Sequence, residues 1–173
     1  ALHLDGLADV CDAMAARGNK ERFLAIMKDS RVGAVGAAGL LFAILLKYQA
    51  LVNIDQELKM PALLLFPAAA RFGQVLMATG ARSARGQGLA TAFIAGVGVT
   101  QLLVALATIL AAAVLSLAWK GMVVVAGISL LTFCVRYYFQ RRLGGVTGDI
   151  IGFSSELNEI GCLLLILACC DRM

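Results

Sequence analysis

Charged side chains are scarce in this 173-residue chain: Asp, Glu, Lys and Arg together make up 15%, where a soluble domain carries about a quarter. That shortage argues against an ordinary water-soluble domain. Aromatic residues are only 7% and the basic residues are scattered, so the net charge of +4 is no nucleic-acid footprint. No nucleic-acid partner is expected. Histidine occurs once, at His3, and none of the five cysteines (Cys11, Cys134, Cys162, Cys169, Cys170) forms a Cys-x-x-Cys pair. A zinc site therefore has too few ligands. Four of those cysteines lie in apolar runs and are expected to be small apolar filler in buried helices. The opening ALHLDGLADVCDA has neither an initiator methionine nor a charged leader, and the expectation is of a chain that begins inside a longer one.

What is abundant is apolar sequence, 61% of the residues with a mean hydropathy of +0.87. It falls into five stretches, roughly Gly33–Val52, Pro61–Thr79, Thr91–Ala118, Met122–Gln140 and Ile150–Cys170. About 20 apolar residues suffice to cross a bilayer. The third stretch is too long for one straight span. It reads either as a tilted helix or as a short interfacial helix near Leu89–Ala95 followed by a span. The expected fold is all-α, a polytopic helical membrane protein embedded in the lipid bilayer. It forms one domain over 1–173, with a polar helical segment over 1–32 and a bundle over 33–173. Small residues recur in GAVGAAG and AGVGV, as close helix packing in membranes requires. Trp119 suits an interfacial anchor.

Five spans place residues 1–32, 80–90 and 141–149 on one side. That side carries nine cations: Arg17, Lys20, Arg22, Lys28, Arg31, Arg82, Arg85, Arg141 and Arg142. The other side has Lys59, Lys120 and Arg172. The excess makes the first side cytoplasmic, and it gathers every motif-like loop at one end of the bundle.

Asp5, Asp9 and Asp12 are spaced i, i+4 and i+7, one stripe of a helix. Three carboxylates on a stripe either call for a cation such as Mg²⁺, which takes oxygen ligands and substrate phosphates, or form a solvated acidic face. Lys28, Asp29, Ser30 and Arg31 offer a carboxylate and two cations for a phosphate or a metal; the competing reading is a juxtamembrane cluster meeting anionic lipid. In GGVTGD the glycines, Gly145 among them, allow backbone amides to approach an anion. Asp149 and Glu156, with Glu159 a turn further on, place carboxylates inside a span, where ionisable groups default to function. Arg71, near the middle of the second span, is expected to face inward and to meet an acidic partner or a substrate phosphate. Lys47, nearer a span end, is expected to snorkel to the interface without a further role. His3 is expected to be a packing or supporting residue.

The stretches LHLDGLADVCDA, IMKDSRVGAVGA, ARGQGL and GGVTGDIIGFSSELNE stand in this order, and together they resemble the cobalamin synthase family, the adenosylcobinamide-GDP ribazoletransferases. The resemblance covers nearly the whole chain. ARGQGL is its weakest part, with Gly86 and Ala90 where other residues are usual. Family members carry a Gly-Gly pair and membrane-associated sequence ahead of LHLDG, so an N-terminal part is expected to be missing here. The resemblance implies an Mg²⁺-dependent enzyme that joins adenosylcobinamide-GDP to α-ribazole, or to its 5′-phosphate, with release of GMP. It implies residence in the cytoplasmic (inner) membrane with the active site facing the cytoplasm. Metal ligands would be Asp5, Asp9 and Asp12; Asp29 or Asp149 would take the hydroxyl proton; Lys28, Arg31, Arg71, Arg85, Gly145 and Glu156 would bind substrate. Self-association, or a complex with other cobalamin-assembly enzymes, is left open. The alternatives are a CDP-alcohol phosphotransferase-like enzyme, whose acidic motif is longer than DGLADVCD, and a non-enzymatic transporter, which would keep its site nearer the midplane.

Overall fold

The computed structural model describes residues 2–16, 18–86 and 88–169, apart from the Leu89 side chain. Arg17, Arg172 and Cys170 lie outside the described residues. Eight helices follow one another: α1 (Leu2–Ala15), α2 (Lys20–Ile26), α3 (Ala34–Asn53), α4 (Gln56–Ala78), α5 (Leu89–Gly96), α6 (Val99–Leu117), α7 (Lys120–Leu143) and α8 (Gly148–Cys169). Helices α3, α4, α6, α7 and α8 are long and apolar enough to cross a membrane. They correspond to the five apolar stretches. The protein is thus an all-helical integral membrane protein.

Boundaries differ where local chemistry decides them. Helix α4 begins at Gln56, ahead of Pro61, with Glu57 in its first turn, where a carboxylate complements the free amides. The third stretch divides, as the second of its two readings has it: α5 ends at Gly96 and α6 starts after Gly98. The AGVGV glycines therefore mark a break between helices and not a packing seam; a side chain at Gly96 would meet open space. GAVGAAG does pack closely. A Cβ at Gly36 would come within 2.8 Å of the Ala8 carbonyl, and one at Gly39 within 2.7 Å of Cys11 Sγ.

Helix α8 is the hub and packs on α1, α3, α4 and α7. One core joins Leu65, Phe72, Ile109, Ile128 and Leu163 across α4, α6, α7 and α8. A second joins Val10, Phe23, Met77, Phe139, Val146 and Ile150 at the end where the motif loops meet. Outward faces of α3, α6 and α7 carry exposed Phe42, Leu46, Leu103, Val104, Leu115, Leu130 and Phe133, as lipid contact demands. Helix α1 is no loose polar segment: Leu7, Val10 and Ala13 are buried, and the helix lies between α3 and α8. Of the described cysteines only Cys162 is fully buried; Cys11 is half-buried, and Cys134 and Cys169 are exposed, which corrects the expectation of buried filler.

Candidate active site

Two loops are stitched together at the site end. Ser83 and Val146 form an isolated parallel bridge, in which Val146 N–H donates to the Arg82 carbonyl (2.8 Å) and Ala84 N–H to the Val146 carbonyl (2.9 Å). Gly145 makes this approach possible, since a Cβ there would fall 2.3 Å from the Arg82 oxygen. Its place is against protein backbone, a different use from the anion cradle expected of it. Gly144 caps α7 in the left-handed region at φ 76°, a conformation that favours glycine.

The stitched loops present Arg85 to Asp149, with Nη2 3.0 Å from the carboxylate. The same nitrogen donates to the Met27 carbonyl at 3.3 Å, which ties in the loop before α3. Arg85 Nε is buried and makes no hydrogen bond. A cavity of about 280 Å³ opens beside the pair, lined by Leu2, Ser83, Arg85, Thr147, Gly148 and Asp149. Helix α1 crosses the start of α8 at Gly6, where a Cβ would come 2.6 Å from the Asp149 carbonyl oxygen. This crossing brings the α1 carboxylates to Asp149. Burial first, then the charges of Asp5 and Asp149, push the Asp9 carboxyl up to about 6; Arg85 acts the other way.

Asp12 departs from that trio. Its Oδ2 accepts from Gly33 N–H and its Oδ1 from Gly36 N–H, both at 2.7 Å. Those amides belong to the first turn of α3, so Asp12 acts as a helix cap supplied from another helix. Both of its oxygens are occupied, which corrects its assignment as a free ligand. Asp5, Asp9 and Asp149 remain. Among the described residues no three His, Cys, Asp or Glu side chains form a ready metal cage. Mg²⁺ commonly takes only one or two carboxylates and completes its shell with water and phosphate. Mutually repelling oxygens around a carboxyl at about 6 are a donor set such an ion fits.

Other expected site residues lie elsewhere. Asp29 is exposed and turned to Arg31, whose Nη2 is 2.6 Å away. Hydrogen bonds from the Arg31 side chain and backbone lower its carboxyl to about 2, so it is a poor proton acceptor. Lys28 and Arg31 are exposed on the same loop. Glu156 is 5% exposed and, with Glu159, receives Lys47 Nζ at 2.6 Å from each. Thus Glu156 is committed to an ion pair, and Lys47 does not snorkel. No sequence signal announced this, since the partners are 109 and 112 residues apart. Arg71 is exposed and meets no carboxylate, which corrects the expectation that it faces inward to an acidic partner; its Nη1 lies 3.4 Å from His3 Nδ1. Arg136 donates to the carbonyls of Leu76 (3.3 Å) and Thr79 (2.6 Å) and so satisfies the free end of α4.

Membrane-length helices capped at one end by carboxylates and a paired arginine define an integral membrane protein with a polar site at the bundle end. The chain belongs to the cobalamin-5-phosphate synthase family, which it matches over residues 1–167. It is 53% identical over 168 residues to the adenosylcobinamide-GDP ribazoletransferase of Geotalea daltonii, covering 97% of this chain and 68% of that protein. The same-named proteins of Thermoanaerobacter sp. (strain X514) and Acetivibrio thermocellus are 36% and 35% identical, over 95% of this chain and 66% of each relative. The chain thus spans about two thirds of the length of these relatives. No solved structure matches. The comparisons support the transferase reading over the phosphotransferase and transporter alternatives.

Proposed function

We propose that this chain holds the catalytic end of an enzyme that joins adenosylcobinamide-GDP to α-ribazole, or to its 5′-phosphate. The printed names of its relatives support the substrates. The acceptor's hydroxyl oxygen forms a bond to the cobinamide-side phosphorus, the bond from that phosphorus to the bridging oxygen breaks, and GMP leaves with the bridging oxygen. Such a transfer depends on positioning and charge neutralisation more than on covalent help.

The observation that carries the reading is Asp9, its carboxyl raised to about 6 between Asp5 and Asp149. Asp5 and Asp9 would hold Mg²⁺, which supplies charge neutralisation at the diphosphate. Asp149 is the better proton acceptor of the two carboxylates the motifs offer, because Asp29 is held near 2 by Arg31. Arg85 is bound to Asp149 at 3.0 Å; by turning to an incoming phosphate it would free Asp149 to take the hydroxyl proton. Lys28 and Arg31, exposed on the loop whose Met27 carbonyl Arg85 reaches, suit the departing nucleotide. The basic residues favour this end facing the cytoplasm. Without Arg17 and Arg172, eight described cations stand against two. The cytoplasmic membrane is the corresponding location.

The test uses the full-length enzyme in membranes, with adenosylcobinamide-GDP and α-ribazole. GMP and a cobalamin product should appear together and depend on Mg²⁺. Asp9→Asn should lower turnover by about 100-fold or more. GMP release that ignores Mg²⁺, or an Asp9→Asn enzyme at wild-type rate in limiting Mg²⁺, would sink the reading.

A further inference from the structure

Two residues before Asp5 on α1, a second polar group, centred on His3, spans three helices. His3 Nδ1 faces Arg71 of α4 at 3.4 Å, and Nε2 lies 2.8 Å from the Gln74 carboxamide, also on α4. The same carboxamide bonds Ser155 Oγ of α8 at 3.0 Å. Burial, then the charge of Arg71, hold the His3 ring below its usual pKa, with Glu156 and Glu159 pulling the other way. Gln74 Nε2 can only donate, and it gives one hydrogen to Ser155 Oγ and the other to His3 Nε2, so His3 Nε2 accepts and the ring proton sits on Nδ1. His3 Nε2 is thus engaged, while Nδ1 and Arg71 Nη1, both donors, face each other at 3.4 Å.

The backbone around this ring is close-set, though less tightly than that at the acidic cluster. A Cβ at Gly152 of α8 would come 3.2 Å from His3 Cα, and one at Gly6 would come 2.6 Å from the Asp149 carbonyl oxygen. Two glycines let α1 and α8 touch but do not fix sliding along the contact. A directional bond does, and His3 Nε2 makes one of that kind from α1 to α4.

We propose that His3 is a positioning residue whose ring pins α1 to α4 and, through Gln74, to α8, in the register that sets Asp5 and Asp9 beside Asp149. This rests on the proposed reading of those carboxylates as a divalent-cation site.

The experiment compares wild type with His3→Leu, His3→Gln, Gln74→Leu, the His3→Leu/Gln74→Leu double variant and Asp9→Asn, all in the full-length enzyme. Binding of Mn²⁺ without substrate is read from the spectrum of the free ion, on protein that elutes as a folded species. Turnover is measured against Mg²⁺ in parallel. His3→Leu should weaken Mn²⁺ binding about tenfold and raise the Mg²⁺ needed for half-maximal turnover in step. Gln keeps a donor and an acceptor, so His3→Gln should restore most of the loss. Gln74→Leu should act in the same direction, and the double variant should be little worse than His3→Leu. If Asp9→Asn weakens Mn²⁺ binding but folded His3→Leu does not, the pin is overturned and the metal site stands. Loss that Gln fails to restore, with one limb of the pH–rate profile gone, makes His3 a proton carrier and overturns it too. If Asp9→Asn binds Mn²⁺ as wild type does, the metal site itself fails and the pin with it. Should His3→Leu not fold, His3→Gln and Gln74→Leu decide: equal Mn²⁺ affinity to wild type in Gln74→Leu overturns the proposal.

Discussion

Asp9 keeps its proton to about 6, against an ordinary carboxyl at 3.8. A carboxyl whose folded value is raised binds protons more tightly in the native state, so protonation favours folding. Without a divalent cation, stability should fall as pH rises from about 4 through about 6, and stay lowered above that window. Asp9→Asn removes the penalty. The cation-free variant should therefore melt higher than wild type above pH 7, with the gap closing toward pH 4, and should gain nothing from added Mg²⁺. Thermal melting in detergent across pH checks this; a variant that melts lower at neutral pH contradicts it. Lys47 gives the opposite case. Lys47→Met would leave buried Glu156 and half-buried Glu159 without a cation, a loss of about 3–5 kcal/mol. Adding Glu156→Gln and Glu159→Gln should recover most of it, visible as recovered melting temperature and yield.

Among the helices, α1 and α8 decide the site, and their contact tolerates no extra atom at Gly6. Gly6→Ala should push α1 off α8 and cost about 100-fold in turnover, the scale of an ångström's misplacement, in protein that still inserts. Gly96→Ala, which meets open space, should leave turnover unchanged; equal loss in both would count against the contact. The spans were legible because twenty apolar residues in a row have few other destinations. The excess length of the third stretch left two readings, a tilted helix or a divided one, and the structure has the divided one. Pairings between helices were not. The i, i+4, i+7 spacing correctly set Asp5, Asp9 and Asp12 on one helix, but only the approach of α3 shows that Asp12 is taken up by Gly33 and Gly36. For Arg71 the position in a span pointed to an inward face and an acidic partner; the residue is exposed instead, and that its neighbour is an imidazole depends on where α1 is threaded. Periodicity says which face is apolar, not which helix it meets.

For the molecule as a whole, the basic end and the Trp119 end should lie on opposite sides of the membrane. Arg82→Cys, in a background lacking the native cysteines, should resist a membrane-impermeant thiol reagent added outside intact cells, while Glu57→Cys should react. The reverse pattern would invert the topology. Helix α6 raises a different matter. It has 19 residues, about 28 Å at 1.5 Å each, close to the hydrocarbon thickness it must match. Apart from its packing on α4 and α7 it is solvated by acyl chains, and through the Val97–Gly98 break it adjoins α5, which starts after Gly88 beside the Arg85–Asp149 cavity. Hydrophobic mismatch tilts a helix of this kind, and the tilt would be felt at the cavity mouth. Reconstituted in lipids of graded chain length, the enzyme should turn over fastest near matched thickness and slow on either side, so that the bilayer itself becomes a tuning parameter of the site.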